Sequence, residues 1–241
     1  LWRKSTAIYR KGLGCTLLAT RTKDELRRQP IALPPSPTIN QDSLLWPMGN
    51  KTDSNLFPKV KNEKINQAIE EAFEEKDPEK PVNTHAIIVV YDGQIIDEKY
   101  ATGFDRHSKL MGWSMAKSIT NALIGVLVHE GKLKTMDPAP VPEWKADERQ
   151  EITLDHLLHA TSGLSWSESY FVPTSDFHNM FIHSDDKAAY AANRKLKHLP
   201  GEFFEYSSGT TNILSRIIRH ILGDQEYYRF PYERLFYKIG M

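Results

Sequence analysis

The sequence predicts an α+β fold, an antiparallel sheet with helices gathered around it, and three observations carry that expectation. A helical apolar period runs from Asn62 to Lys76. Two β-rich runs then flank Asp92-Gly93, a strong hairpin signal. Helical signals dominate afterwards, over residues 114–129, 153–160, 185–195 and 209–222.

The chain has 241 residues, with 31 Lys and Arg against 31 Asp and Glu, a net charge of zero. That size allows one large domain or two modest ones. The charge balance argues against a general nucleic-acid binder, which needs a basic excess. Cys15 is the only cysteine, so an internal disulfide and a Cys-cluster zinc site are excluded. The longest apolar run, Ser118–Val128, falls short of the roughly 18–20 residues of a membrane span. A soluble chain is therefore expected.

Residues 1–30 hold eight Lys or Arg and two Asp or Glu, most simply a solvated basic face. Pro30–Pro58, with six prolines, reads as extended chain that Leu45, Trp46 and Phe57 pin to a body. In the following segment Ile65, Ala68, Ile69, Ala72 and Phe73 share one face, while Glu70, Glu71, Glu74 and Glu75 take the other. Asn62 is the expected cap and Asp77-Pro78 the stop. The hairpin pairs residues 86–91 with 95–100.

Nucleotide-binding glycine loops, HExxH and EF-hand loops are all absent from the sequence. His156 and His159 lack a third ligand and read as surface or cap histidines, so no metal and no cofactor is expected. Gly112-Trp113-Ser114-Met115-Ala116-Lys117-Ser118 carries more. If Ser114 opens a helix, Lys117 lies one turn on, facing the same side. A lysine held neutral by burial can take the serine proton, and the helix N-terminus favours the developing negative charge.

The spacing alone is weak, because 16 Ser and 19 Lys in 241 positions give about one SxxK by chance. A second one exists, Ser184-Asp185-Asp186-Lys187. Its acidic neighbours predict a solvated, protonated lysine. Ser114 instead precedes Ile119, Ala122, Leu123, Val126 and Leu127, read as a helix buried on most sides. Tyr206-Ser207-Ser208-Gly209 follows the Pro200-Gly201 turn and opens another amphipathic helix. On spacing alone, Tyr206 reads as a packed aromatic with Ser207 or Ser208 as an N-cap, ahead of the alternative of a proton relay facing a cleft.

Gly112–Ser118 with the following Ala122–Val128, the Ile152–Leu164 segment ending Thr161-Ser162-Gly163-Leu164, and Tyr206-Ser207-Ser208-Gly209 resemble, in order, three elements of the β-lactamase-related serine hydrolases. Trp113 before the serine and the Tyr-Ser-Ser form are most similar to the 6-aminohexanoate-dimer-hydrolase-like branch. The resemblance covers roughly residues 82–241. It implies a β-lactamase/transpeptidase-like fold and an acyl-enzyme mechanism in which Ser114 attacks, and Lys117 and Tyr206 handle its proton. It also implies that the backbone N–H of Ser114 serves the oxyanion. Ser208 stands where many members have Asn, and the later Lys-Thr-Gly or His-x-Gly motif is absent from these residues.

The expected function is hydrolysis of a small-molecule amide or ester, with Ser208, Trp166 and Tyr170 as substrate-binding residues. Phe171 and Phe177 are further candidates for an apolar acyl pocket in the 165–185 loop, with core packing or a disordered surface loop as the equal alternative for Trp166, Tyr170 and these two. The alternatives are an inactive relative acting as a binding module and an α/β-hydrolase. The latter needs a buried strand before Ser114, where residues 104–111 are too charged. Expected domains are a partly extended N-terminal region, 1–61, and a hydrolase domain, 62–241, with a helical part at 136–205. Leu1 and Met241 both read as interior positions of a longer chain, with the C-terminal strands beyond. The resemblance implies an extracytoplasmic location, and nothing in the sequence sets an oligomeric state.

Overall fold

The structure, a computed structural model, describes residues 6–52 and 63–241. Its elements begin with β1 (Thr6–Arg10), β2 (Gly14–Leu18), α1 (Lys23–Arg27) and α2 (Glu63–Phe73). They continue with β3 (Ala86–Tyr91), β4 (Gln94–Tyr100), α3 (Met115–His129) and α4 (Leu154–Leu158). The last four are α5 (Asp176–His183), α6 (Lys187–Ala192), α7 (Ser208–Leu222) and α8 (Asp224–Arg234). They form two compact units: residues 6–35 with 113–235, and residues 36–52 with 63–112 and 236–241.

In the second unit β3 and β4 pair antiparallel through a two-residue turn, Tyr91 opposite Gln94. Asp92 and Gly93 both have positive φ, 48° and 71°, as the primed hairpin turn requires. Helix α2 packs on β4 through Lys99, whose ammonium pairs with Glu70 and lies 4.9 Å from the Phe73 ring centre. The helix ends at Phe73 rather than Lys76 because Glu75 turns away, its carboxylate accepting from Val82 N and Asn83 N. Its expected cap, Asn62, and the expected pin Phe57 lie outside the described residues. Trp46 does pin its segment, donating its indole N–H to Gly93 O at 2.7 Å, whereas Leu45 is exposed.

In the first unit the core is helical. Helix α7 runs through it, burying Ile213, Leu214, Ile217 and Ile218, and touches α3, α4, α6 and α8. Ile124 and Leu127 of α3, Trp144, Ile152 and Phe230 belong to the same cluster. Each such side chain contributes about 1.5–3 kcal/mol of burial. Gly209 lets α7 approach this closely: a Cβ there would meet the Trp166 ring at 2.5 Å and Ala191 Cβ at 2.9 Å.

The expected antiparallel pairing is present, among the described residues as two two-stranded ladders. Other expectations are corrected. The basic N-terminal stretch is partly built in: β1 pairs with β2, and Arg10 donates to Gln29, Leu26 O and Thr16. Helix α3 buries one stripe, Leu123, Ile124 and Leu127, while Asn121, Ala122 and Gly125 are exposed; apolar content alone overstated its burial. The 165–185 segment contains α5, capped by Ser175, whose Phe177, Met180 and Phe181 follow the helical i, i+3, i+4 spacing. Helix α8 was hidden by Pro231 in its interior.

Candidate active site

Ser114 takes the N-cap position of α3 with φ −70° and ψ −6°, and its side chain makes no capping bond. The hydroxyl is therefore left for chemistry. The chain enters this position through Trp113, whose φ of +42° lies in the left-handed region. Such a conformation in a bulky residue costs about 1–3 kcal/mol and is typical of functional turns. Lys117, in the first turn of the helix, places its ammonium nitrogen 3.1 Å from Ser114 Oγ.

Tyr206 comes from a segment 92 positions further along the chain. The Ile152–Leu164 segment guides it: Gly201 N donates to Thr161 O, Lys197 N to Gly163 O and Glu205 N to Ala160 O, each at 2.8 Å. Gly163 has φ +74°, and a Cβ there would sit 2.2 Å from His198 O, so this close pairing needs glycine. Ser207 then caps α7, accepting from Thr210 N at 3.0 Å, and Tyr206 stands directly before the cap. Its hydroxyl donates to Ser114 Oγ at 2.7 Å, and Lys117 Nζ lies 4.8 Å from its ring centre. Partial burial pushes the Tyr206 phenol up, but hydrogen bonds with Ser114 and Lys117, with the lysine charge, outweigh it and hold the phenol below its ordinary value.

Ser208 is the fourth member: Lys117 Nζ donates to its Oγ at 3.2 Å. Behind it stands Glu168, which sequence reasoning missed. Its carboxylate accepts from Ser208 N at 2.8 Å, from Ser208 Oγ, from Trp166 Nε1 at 2.5 Å and from Tyr170 Oη at 3.3 Å. The available signal was weak, one acidic residue in a run rich in serine and aromatics. Glu168 also raises the Tyr170 phenol, after burial, through its charge and hydrogen bond.

A cavity of about 830 Å³ opens beside Ser114. Of the expected substrate-binding residues, Tyr170 and Ser208 line it, and so does Phe177. Trp166 does not; it is buried in the core and reaches the site only by holding Glu168. Phe171 is 94% exposed and is not among the lining residues. Lys187 of the second SxxK is not the solvated lysine its neighbours predict. It lines the cavity, and burial pushes its ammonium down despite the opposing charge of Asp185. Ser184 Oγ donates to Asp186 O, so that serine is tied into its own loop.

His156 completes a capping box with Thr153, and among the described residues no cluster of three or more His, Cys, Asp or Glu could hold a metal ion. Residues 101–112 form no strand, so the strand of an α/β-hydrolase elbow is missing before Ser114. Among the described residues no helix is long and apolar enough to cross a membrane.

The Beta-lactamase family profile matches residues 68–241. A curated relative, the 6-aminohexanoate-dimer hydrolase of Paenarthrobacter ureafaciens, is 23% identical over 156 residues, 58% of this chain and 38% of that protein. Two solved structures share the fold. "Putative 6-aminohexanoate-dimer hydrolase from Bacillus anthracis" is 24% identical with a TM-score of 0.50, covering 66% of this chain and 45% of that one. The "putative beta-lactamase from Bacteroides dorei" is 23% identical with a TM-score of 0.55, covering 74% and 50%. The chain thus spans half or less of the length of each of these relatives. The profile match runs through the Ser114, Ile152–Leu164 and Tyr206 segments alike, on a β-lactamase/transpeptidase-like fold: the chain belongs to the Beta-lactamase family.

Proposed function

We propose that the protein is a serine hydrolase that cleaves a small-molecule amide or ester through an acyl-enzyme on Ser114. The observation that carries this reading is the convergence of two proton-handling groups on one hydroxyl, Lys117 Nζ at 3.1 Å and Tyr206 Oη at 2.7 Å. A hydroxyl in that setting is activated as few surface serines are. The hydrolase names of the relatives agree with it.

In the proposed reaction Ser114 Oγ attacks the carbonyl carbon and its proton passes to the Lys117–Tyr206 pair. The two groups touch the same oxygen, so the role of base is given to the pair and not to either group alone. The backbone N–H of Ser114, at the positive end of α3, faces the developing oxyanion. Collapse breaks the bond to the leaving amine or alcohol, which takes the proton from Tyr206. Water then attacks the acyl carbon with the same groups in reverse, releasing the acid and restoring Ser114.

The test is acid-quench mass analysis during turnover of a small p-nitrophenyl ester. An acyl increment mapped to Ser114 and absent from Ser114→Ala supports the mechanism. Hydrolysis that survives Ser114→Ala, with no increment on Ser114, removes it.

A further inference from the structure

The cavity beside Ser114 is lopsided in charge. Among the described residues its lysine and arginine lining residues are Lys117 and Lys187, and no aspartate or glutamate lines it. Lys117 is engaged with Ser114 and Ser208. Lys187 is not engaged with any acid among the described residues. Its ammonium donates to two backbone carbonyls at the end of α5, Phe181 O and Ser184 O, both at 3.2 Å, and lies 5.7 Å from the Phe181 ring centre. That leaves one of its three N–H groups unassigned. The acids nearest in sequence are committed elsewhere: Asp185 accepts from Thr20 N and Thr20 Oγ, and Asp186 caps α6 at Ala189 N.

A half-buried cation hydrogen-bonded only to neutral groups, with Asp185 acting on it through charge alone, is a poor arrangement unless something anionic joins it. Apolar Phe177, Met180, Phe181 and Ile182 share the lining with neutral polar side chains such as Thr120 and Asn212. A largely apolar cavity that holds a reactive hydroxyl and an ammonium without an acid partner defines a ligand with matching parts.

Resting on the hydrolase reading above, we infer that the acyl arm of the substrate is an apolar chain ending in a carboxylate, with Lys187 as its counter-ion. The same charge disfavours acyl arms that end in an amine.

The experiment compares kcat/KM for p-nitrophenyl monoesters of straight-chain dicarboxylic acids with length-matched p-nitrophenyl alkanoates and ω-aminoalkanoates. At the best length the ω-carboxy ester is expected to exceed the alkanoate by about tenfold, the scale of one charge-assisted hydrogen bond, with the ω-amino ester lowest. Lys187→Gln keeps a donor for the α5 carbonyls but removes the charge, and brings the ratio toward unity; Lys187→Arg keeps the preference. Alkanoates equal to or better than ω-carboxy esters at every length overturn the inference, as does an undiminished ratio in Lys187→Gln. If no ester is turned over, the hydrolase reading has failed, and calorimetric titration of dicarboxylic monoamides against length-matched alkyl amides decides the site by itself. Tighter binding of the acids, lost in Lys187→Gln, upholds it; equal binding ends it.

Discussion

Tyr206 Oη lies 2.7 Å from Ser114 Oγ across 92 positions of chain. Local structure sets Ser114, whereas Tyr206 depends on pairing with a distant segment. Ser114 is set by the left-handed turn at Trp113 and the start of α3, and Tyr206 by the pairing of residues 160–164 with 195–205 and the Ser207 cap. Lys117 then closes a triangle, touching Ser114 and Ser208 and lying over the tyrosine ring.

Tyr206→Phe should slow acylation by about 10²–10⁴-fold, the usual contribution of a positioned proton-transfer group. A base acts unprotonated, so acylation rises as pH climbs through its pKa. The Tyr206 phenol is held below 10.0, so the wild-type rise falls below the ordinary tyrosine range. Rates of fluorophosphonate labelling across pH check this, and in Tyr206→Phe, where Lys117 is the remaining member of the pair, the rise should no longer fall at the wild-type position.

Glu168→Ala should weaken the site without touching Ser114. It leaves the Trp166 indole N–H and the Ser208 hydroxyl without their acceptor, a loss of about 1–3 kcal/mol. Thermal unfolding and acylation rate should both fall, and Glu168→Gln, which keeps a carbonyl acceptor, should recover part of each.

Much of this was legible beforehand, for identifiable reasons. The Asp92-Gly93 hairpin, α7 and the Ser114 helix start are written in local turn chemistry and period. Glu168 was not legible, because its role arises from four donors that only folding gathers. Lys187 was misjudged because two acidic neighbours suggested solvent, while α5, itself unrecognised, supplies the carbonyls and ring that cover it.

Two glycines in the helical core unit should respond oppositely to alanine. Gly209→Ala drives a methyl into the Trp166 ring and should destabilise by about 1–3 kcal/mol. Gly125, inside α3 with nothing within 4 Å of a Cβ, should gain about 1 kcal/mol as alanine. Urea unfolding of both variants beside wild type checks the pair.

Asp147 should make stability fall in acid. Hydrogen bonds from the Arg149 guanidinium, then from its backbone N–H, draw the carboxyl down to about 2. A pKa lower in the folded than the unfolded state gives stability above the unfolded value, near 3.9, that is lost as pH falls through the folded one. The same guanidinium donates to Ala192 O at 2.9 Å and Arg194 O at 3.0 Å, tying the end of α6. Melting temperature should therefore drop less steeply between about pH 4 and pH 2 in Asp147→Asn than in wild type.

The central claim is that Ser114, of the two serines in an SxxK spacing, is the activated one. Intact-mass analysis after fluorophosphonate treatment, with peptide mapping, tests it most directly. The account predicts a single adduct on Ser114, kept in Ser184→Ala and lost in both Ser114→Ala and Lys117→Ala. Labelling at Ser184, labelling that survives Ser114→Ala, or no adduct on Ser114 would contradict it.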